Sequence, residues 1–151
     1  MIEEKVILSI RDATSEDLRE IQKIERKSFK DPYPSFYMRA LLEGLADIFL
    51  VAEIEDKIIG YVIARVEFGY VGHIISIAVD PEWRRRGVGT LLMIKVMERL
   101  KRYGCESVYL EVRTSNEPAI RMYEKLGFRI EKTLLRYYRD GEDAFVMSRQ
   151  L

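Results

Sequence analysis

The sequence predicts an α/β (α+β) chain: a mixed central sheet flanked by helices, in the order β-α-α-β-β-β-α-β-α-β-β. Three observations predict it. Short β-rich runs alternate with segments whose apolar residues recur at helical spacing. The second half contains a strand–helix–strand crossover, from His73–Val79 through a long apolar-faced segment to Val108–Val112. No repeat, low-complexity tract or linker interrupts the 151 residues, so residues 1–151 are expected to form a single domain.

Each element has a local reason. Val6–Arg11 alternates as a first strand, and Thr14-Ser15-Glu16-Asp17 reads as an N-cap with an acidic first turn. Leu18, Ile21 and Ile24 then mark an amphipathic helix over residues 15–28. Asp31-Pro32-Tyr33-Pro34 breaks it, because prolines that close together cannot continue a helix. Ser35 can cap a second helix that turns Phe36, Leu41, Leu42 and Leu45 inward. Ile48–Ile54 and Ile58–Val66 form a hairpin around Glu55-Asp56-Lys57. His73–Val79 is a strand stopped by Asp80-Pro81, and Leu91–Tyr103 is a helix closed near Gly104. After the strand at Val108–Val112, Asn116 caps a helix with Pro118 in its first turn and Gly127 just past its end. Phe128–Thr133 and Ala144–Arg149, joined through Asp140-Gly141, complete the sheet.

Composition excludes several classes. Hydrophobic residues at 48% and charged residues at 33% describe a globular protein, not a disordered or fibrous one. Lys plus Arg and Asp plus Glu balance at 25 each, so no global field favours nucleic acid or an anionic membrane. Cys105 is the only cysteine, which removes an intramolecular disulfide and a thiolate metal centre; no metal is expected. A nucleophilic Cys105 would need a nearby base, and His73, the only histidine, reads as a structural residue at a strand start. The charged N-terminal Met1-Ile2-Glu3-Glu4-Lys5 is unlike a signal peptide, and no apolar run has the length of a membrane span, so the cytoplasm is the expected compartment.

The segment richest in chemistry is Arg84-Arg85-Arg86-Gly87-Val88-Gly89-Thr90, between a strand and a helix. Such a turn points unpaired N–H groups and the positive end of a helix dipole at one spot, which suits a phosphate. Glycines let a ligand approach the main chain, and arginines supply planar cationic donors. The loop is neither a P-loop, since the chain has no Gly-Lys pair, nor a dinucleotide fingerprint, since Gly87-Val88-Gly89 lacks the third glycine.

The element order, with Ile77-Ala78-Val79-Asp80-Pro81 running into this loop, resembles the GNAT superfamily of acyl-CoA-dependent N-acyltransferases. Leu110-Glu111-Val112-Arg113, continuing through Asn116, Ala119, Tyr123 and Gly127-Phe128, resembles its RimI-type branch, which acetylates protein α-amino groups. The resemblance implies acetyl-CoA as cosubstrate. It places the pyrophosphate on Arg84, Arg85, Arg86, Gly87, Val88, Gly89 and Thr90, and the pantetheine arm along Ile77, Ala78 and Val79. The far side of that arm meets Asn116, which equally reads as a plain helix cap.

Attack of a neutral amine on a thioester needs a base, oxyanion donors and an acid for the thiolate. The resemblance implies an oxyanion donor among the main-chain N–H groups near Ala78 or Val79. Glu111 is the candidate base; mid-strand, it is either a solvated outward residue or an active-site carboxylate. The resemblance places Tyr123, the candidate acid, beside the thioester sulfur, the alternative being a core tyrosine.

For the acceptor, the resemblance implies Pro32, Tyr33 and Tyr37, with Pro34 and Phe36 nearby, and the pair Tyr137-Tyr138. The expected partners are therefore a coenzyme A thioester and protein or peptide N-termini. A small-amine acetyltransferase and a non-catalytic acyl-CoA-binding module are the alternatives. Aromatic acceptor residues favour a peptide over the first, and the presence of both Glu111 and Tyr123 weighs against the second.

Overall fold

β2 (Ile48–Ile54) and β3 (Lys57–Glu67) are apolar on both faces because both faces are covered. Leu50, Ala52 and Val62 pack with the helix α3 (Val88–Arg102), while Phe49, Val51 and Tyr61 pack with α1 (Leu18–Ser28) and α2 (Ser35–Ala40). Around this centre, β1 (Leu8–Asp12), β4 (Val71–Val79), β5 (Ser107–Arg113), β6 (Arg129–Leu134) and β7 (Ala144–Gln150) complete a sheet ordered β1-β2-β3-β4-β5-β7-β6. The computed structural model describes residues 7–151. The N-terminal pentapeptide and Val6, the first residue of the expected first strand, lie outside the described residues.

The arrangement is the mixed α/β sheet expected, with every expected strand and long helix in order. Neighbouring strands are antiparallel except β4 and β5, which the α3 crossover lays parallel. These two pair only through Val71–Ser107, Gly72–Val108 and His73–Tyr109. Beyond His73 they continue without pairing to each other, and a wedge opens between them. Gly72 lies under α3, where a Cβ would stand 2.7 Å from a Leu100 methyl carbon.

β5 alternates as its sequence does. Val108, Leu110 and Val112 are buried in the α3-side core, while Tyr109, Glu111 and Arg113 face the other way, past the cover that α1 and α2 give β3. α4 (Glu117–Lys125) joins the α3-side core through Ile120, Met122 and Tyr123. Among the described residues no helix is long and apolar enough to cross a membrane.

Some boundaries and faces differ from expectation. α1 proper begins at Leu18, after a single tight turn at Ser15–Asp17, and α3 begins at Val88, three residues before the expected Leu91. Pro34, not Ser35, is the cap residue of α2. Phe36 and Leu45 are not core residues: they are 77% and 53% exposed. α2 is only six residues long and runs into a wide turn in which Gly44 has φ 143°, so one apolar face cannot hold them all. Leu41 fills that core as expected, with Leu42 packed against it, and Met38 takes the remaining place.

Candidate active site

The turn from β4 into α3 is built by two residues in the left-handed region, Arg85 (φ 63°) and Gly87 (φ 82°). Gly87 occupies the cap position of α3 with no side-chain cap, and the first helical bond runs from Leu91 N–H to Gly87 O at 3.0 Å. The amides of Val88, Gly89 and Thr90 therefore have no partner within the described residues, and the helix dipole adds to their positive potential. A Cβ at Gly87 would meet nothing within 4 Å, so the approach to these amides is open. This fits the phosphates of a coenzyme A thioester.

The other loop residues divide by task. Arg84 is engaged by the protein: its Nε donates to Val79 O at 3.0 Å and its guanidinium to Ser28 Oγ at 3.2 Å. Arg86 stacks over the Trp83 ring, 4.8 Å from its centroid, and Arg85 projects to solvent. Gly89 is small for a different reason from ligand approach, since a Cβ there would stand 3.1 Å from Met122 Sδ of α4.

β4 lines the wedge with its main chain. Asp80 N–H bonds Ile59 O at 2.8 Å, and the antiparallel register pairs Ala78 with Tyr61 and Val79 with Gly60. On that alternation the N–H groups of Ile77 and Val79 point away from β3, into the wedge, while that of Ala78 points to β3. Val79 O, on the same side, is the atom that Arg84 holds. Of the expected Ile77-Ala78-Val79 segment, Ile77 and Val79 thus offer the free amides. A bulge at Ile75 brings Ser76 and Ala78 to the α1 side of the sheet.

Asn116 is a cap: its Oδ1 accepts from Ala119 N at 3.4 Å at the start of α4. Tyr123 is fixed at the other end of that helix. Its carbonyl accepts from Phe128 N–H at 3.0 Å, Gly127 (φ 92°) closes on Glu124 O, and the Tyr123 and Phe128 rings pack 5.8 Å apart. The hydroxyl has no hydrogen-bond partner within the described residues, and the residue as a whole is buried. Burial pushes the Tyr123 phenol well above its ordinary value, which keeps it a proton donor.

Glu111 does not stand alone. Its Oε2 lies 2.8 Å from His73 Nε2, and His73 Nδ1 faces Glu67 Oε2 at 3.2 Å. The Tyr109 hydroxyl donates to Glu67 Oε1 at 2.5 Å, and the His73 and Tyr109 rings stack 4.3 Å apart. Burial works to lower the His73 pKa, but the hydrogen bonds and charges of Glu111 and then Glu67 overcome it and raise the value. His73, which reads as structural in the sequence, is thus hydrogen-bonded to the candidate base. Glu67, Tyr109 and Glu111 line an open cleft of about 410 Å³ on this face.

The aromatic residues expected at the acceptor side gather around Glu111. Tyr33 packs on Tyr37 at 5.0 Å, and Tyr137 on Tyr138 at 5.0 Å. Burial raises the phenols of Tyr33 and Tyr138 to about 12 and also raises Tyr137, with the Glu111 charge adding to all three. Arg113, two residues along β5 from Glu111, lies 4.0 Å from the Tyr138 ring centroid and bonds both Asp140 and Glu142. Pro32 lies in the same loop as Tyr33, whereas Phe36 faces solvent.

A helix start with unpartnered amides beside an open β4 edge fits an acyl-CoA thioester. The sequence pattern of the acetyltransferase (GNAT) family matches residues 17–128, and the chain belongs to that family. It is 41% identical to the N-alpha-acetyltransferase of Sulfurisphaera tokodaii, over 94% of this chain and 92% of that protein. It is 39% identical to the N-alpha-acetyltransferase of Saccharolobus solfataricus, over 95% and 93% of the two chains. Among solved structures, Ard1 from Thermoplasma volcanium superposes with a TM-score of 0.91 at 30% identity, covering 95% of this chain and 97% of that one. The ribosomal-protein-S18-alanine N-acetyltransferase of Escherichia coli gives 0.86 at 28% identity, over 95% and 94%.

Proposed function

We infer that this chain is an acetyl-CoA-dependent protein Nα-acetyltransferase. One observation carries the reading: an acetyltransferase-family chain, about 40% identical to N-alpha-acetyltransferases over nearly its full length, turns an aromatic wall toward a Glu111–His73 pair. Tyrosines can flank an extended peptide backbone, whereas a small polyamine pocket calls for carboxylates in their place.

In this reading acetyl-CoA supplies an activated thioester, and transfer forms the N–C bond of the acetamide as the C–S bond breaks. The loop amides of Val88 to Thr90, with Gly87, Arg85 and Arg86, hold the phosphates, and Asn116 borders the pantetheine. Val79 N–H, with Ile77 N–H beside it, donates to the carbonyl oxygen as it gains charge. Glu111, backed by His73, takes the ammonium proton and frees the amine lone pair. Tyr123 gives its hydroxyl proton to the departing thiolate. Pro32, Tyr33, Tyr37, Tyr137 and Tyr138 orient the acceptor. The reading keeps the cytoplasmic location expected from the sequence.

An α-amine, with pKa about 7.7–8.0 against about 10.4 for lysine, has a neutral fraction roughly two hundred-fold larger at neutral pH. Short peptides with varied free N-termini, the same peptides blocked at the N-terminus, and polyamines should be incubated with acetyl-CoA. Free-amine peptides should gain one acetyl group at the α-amine. Equal labelling of an internal lysine in the blocked peptides, or preference for a polyamine, would overturn the assignment.

A further inference from the structure

Beneath the acceptor loop, α1 carries two buried polar side chains that the proposed chemistry does not use. Gln22 is 7% exposed and Glu25 only 2%. Both reach the backbone of one residue: Gln22 Nε2 donates to Tyr33 O at 2.7 Å, and Tyr33 N–H donates to Glu25 Oε2 at 3.1 Å. The other Glu25 oxygen accepts from the Tyr61 hydroxyl of β3, with Ser76 Oγ of β4 at 3.4 Å. The loop residue whose ring faces the acceptor side is therefore gripped at both its N–H and its C=O, and the grip is anchored to two strands.

These side chains are costly where they sit. A carboxylate so deeply buried loses its hydration, and that loss raises the Glu25 pKa against the hydrogen bonds that lower it. Gln22 Oε1 is buried with no partner among the described residues. A methionine of similar length would fill the same space without that orphaned oxygen. What the amide provides, and methionine would not, is the bond to Tyr33 O.

We propose that Gln22 and Glu25 are positioning residues for the acceptor site: by clamping the Tyr33 backbone they set the wall formed by Tyr33 and Tyr37, and so the affinity for the acceptor peptide. This rests on the Nα-acetyltransferase reading. Pro32 and Pro34 flank Tyr33 and lack amide donors, so the Tyr33 N–H is the one donor of this tripeptide that Glu25 can hold, while Gln22 holds its C=O. The Tyr37 ring packs on Tyr33, 5.0 Å between centroids, so the position of one bears on the other.

The test is steady-state kinetics on a free-amine peptide, with acetyl-CoA affinity by calorimetry and thermal melting, for wild type, Gln22→Met, Glu25→Gln and Tyr33→Ala. Gln22→Met should match or exceed wild-type stability, because the orphaned oxygen is gone, yet raise the peptide KM roughly five- to tenfold. Its acetyl-CoA Kd should stay within about twofold of wild type. Glu25→Gln, which keeps an acceptor for either Tyr33 N–H or the Tyr61 hydroxyl but not both, should raise KM in the same direction. In a Tyr33→Ala background, Gln22→Met should add less than about a twofold change, since the ring it positions is absent. An unchanged peptide KM in Gln22→Met overturns the clamp. So does an equal loss of acetyl-CoA affinity, or a full additive effect on top of Tyr33→Ala. A wild-type protein inactive on every free-amine peptide overturns the acetyltransferase reading and the clamp together, whereas an active wild type with unmoved variants overturns the clamp alone.

Discussion

His73 and Glu111 meet across the last rung that joins β4 to β5, with Nε2 of the ring 2.8 Å from the carboxylate. The contact sits where the two strands begin to part, so the polar pair lies at the apex of the wedge, and its Glu111 member also lines the open cleft. It joins a residue that local pattern assigns to structure with one that chemistry assigns to catalysis.

If that pair takes the ammonium proton, Glu111→Gln should lower kcat by about 10²–10⁴-fold, the usual contribution of a general base. Acetyl-CoA affinity, measured by calorimetry, should be nearly unchanged. His73→Gln should cost less and should remove the part of the pH–rate profile that follows imidazole titration. A Glu111→Gln enzyme with wild-type kcat would return Glu111 to the role of a solvated strand residue.

The same contact predicts a pH-dependent stability. The folded pKa of His73 is raised above its ordinary 6.5 by Glu111 and Glu67. Its contribution is therefore complete below about 6.5 and is lost as pH rises through the folded value. Urea unfolding of wild type and His73→Gln from pH 6 to 9 should show a stability difference that shrinks toward alkaline pH. A gap that is constant or widens would contradict it.

The loop after β4 should separate ligand binding from stability. Gly87→Val forces a β-branched residue to φ 82° and fills an open approach, so the acetyl-CoA Kd should rise by roughly tenfold or more. Arg85→Ala should weaken binding with little change in melting temperature. Arg84→Ala should instead lower the melting temperature, because its guanidinium holds Val79 O and Ser28 Oγ. Calorimetry and thermal melts on the three variants decide between these effects.

At the end of α4, Tyr123→Phe keeps the ring against Phe128 and removes only the hydroxyl. It should lower kcat by about 10²-fold or more while the fold and acetyl-CoA binding persist. Gly127→Ala should cost about 1 kcal/mol of stability, because alanine is strained at φ 92°. Wild-type turnover in Tyr123→Phe would leave thiolate protonation to solvent.

Much of this was legible because it is local. Alternation placed Glu111 on the face opposite Leu110 and Val112, and glycine placed the end of α4. The start of α3 was not legible in its apolar spacing, since Val88 to Thr90 begin a helix before its amphipathic period is established. The contact of His73 with Glu111 was not legible because it is supplied by a parallel pairing 36 positions away, His73 with Tyr109, which no local pattern contains. Gln22 and Glu25 carried a readable signal: they fall at the third-and-fourth-residue spacing of Leu18 and Ile21, on the buried side of α1. Leu45 misled because apolar spacing presumes a continuous helix, which Gly44 interrupts just before it, and Phe36 because it falls on the side of α2 opposite the buried Met38.

The parting of β4 from β5 leaves, in the middle of a seven-stranded sheet, the kind of strand edge that proteins usually confine to the periphery and guard with charge. An unguarded edge is a template for adding another strand, and so a route to aggregation. Here the edge lies at the bottom of a notch whose sides are the sheet itself, with the three paired rungs closing one end. In the reading proposed above, the amide-bearing arm of the cosubstrate completes the sheet along this edge, in the place where another chain's strand would otherwise pair.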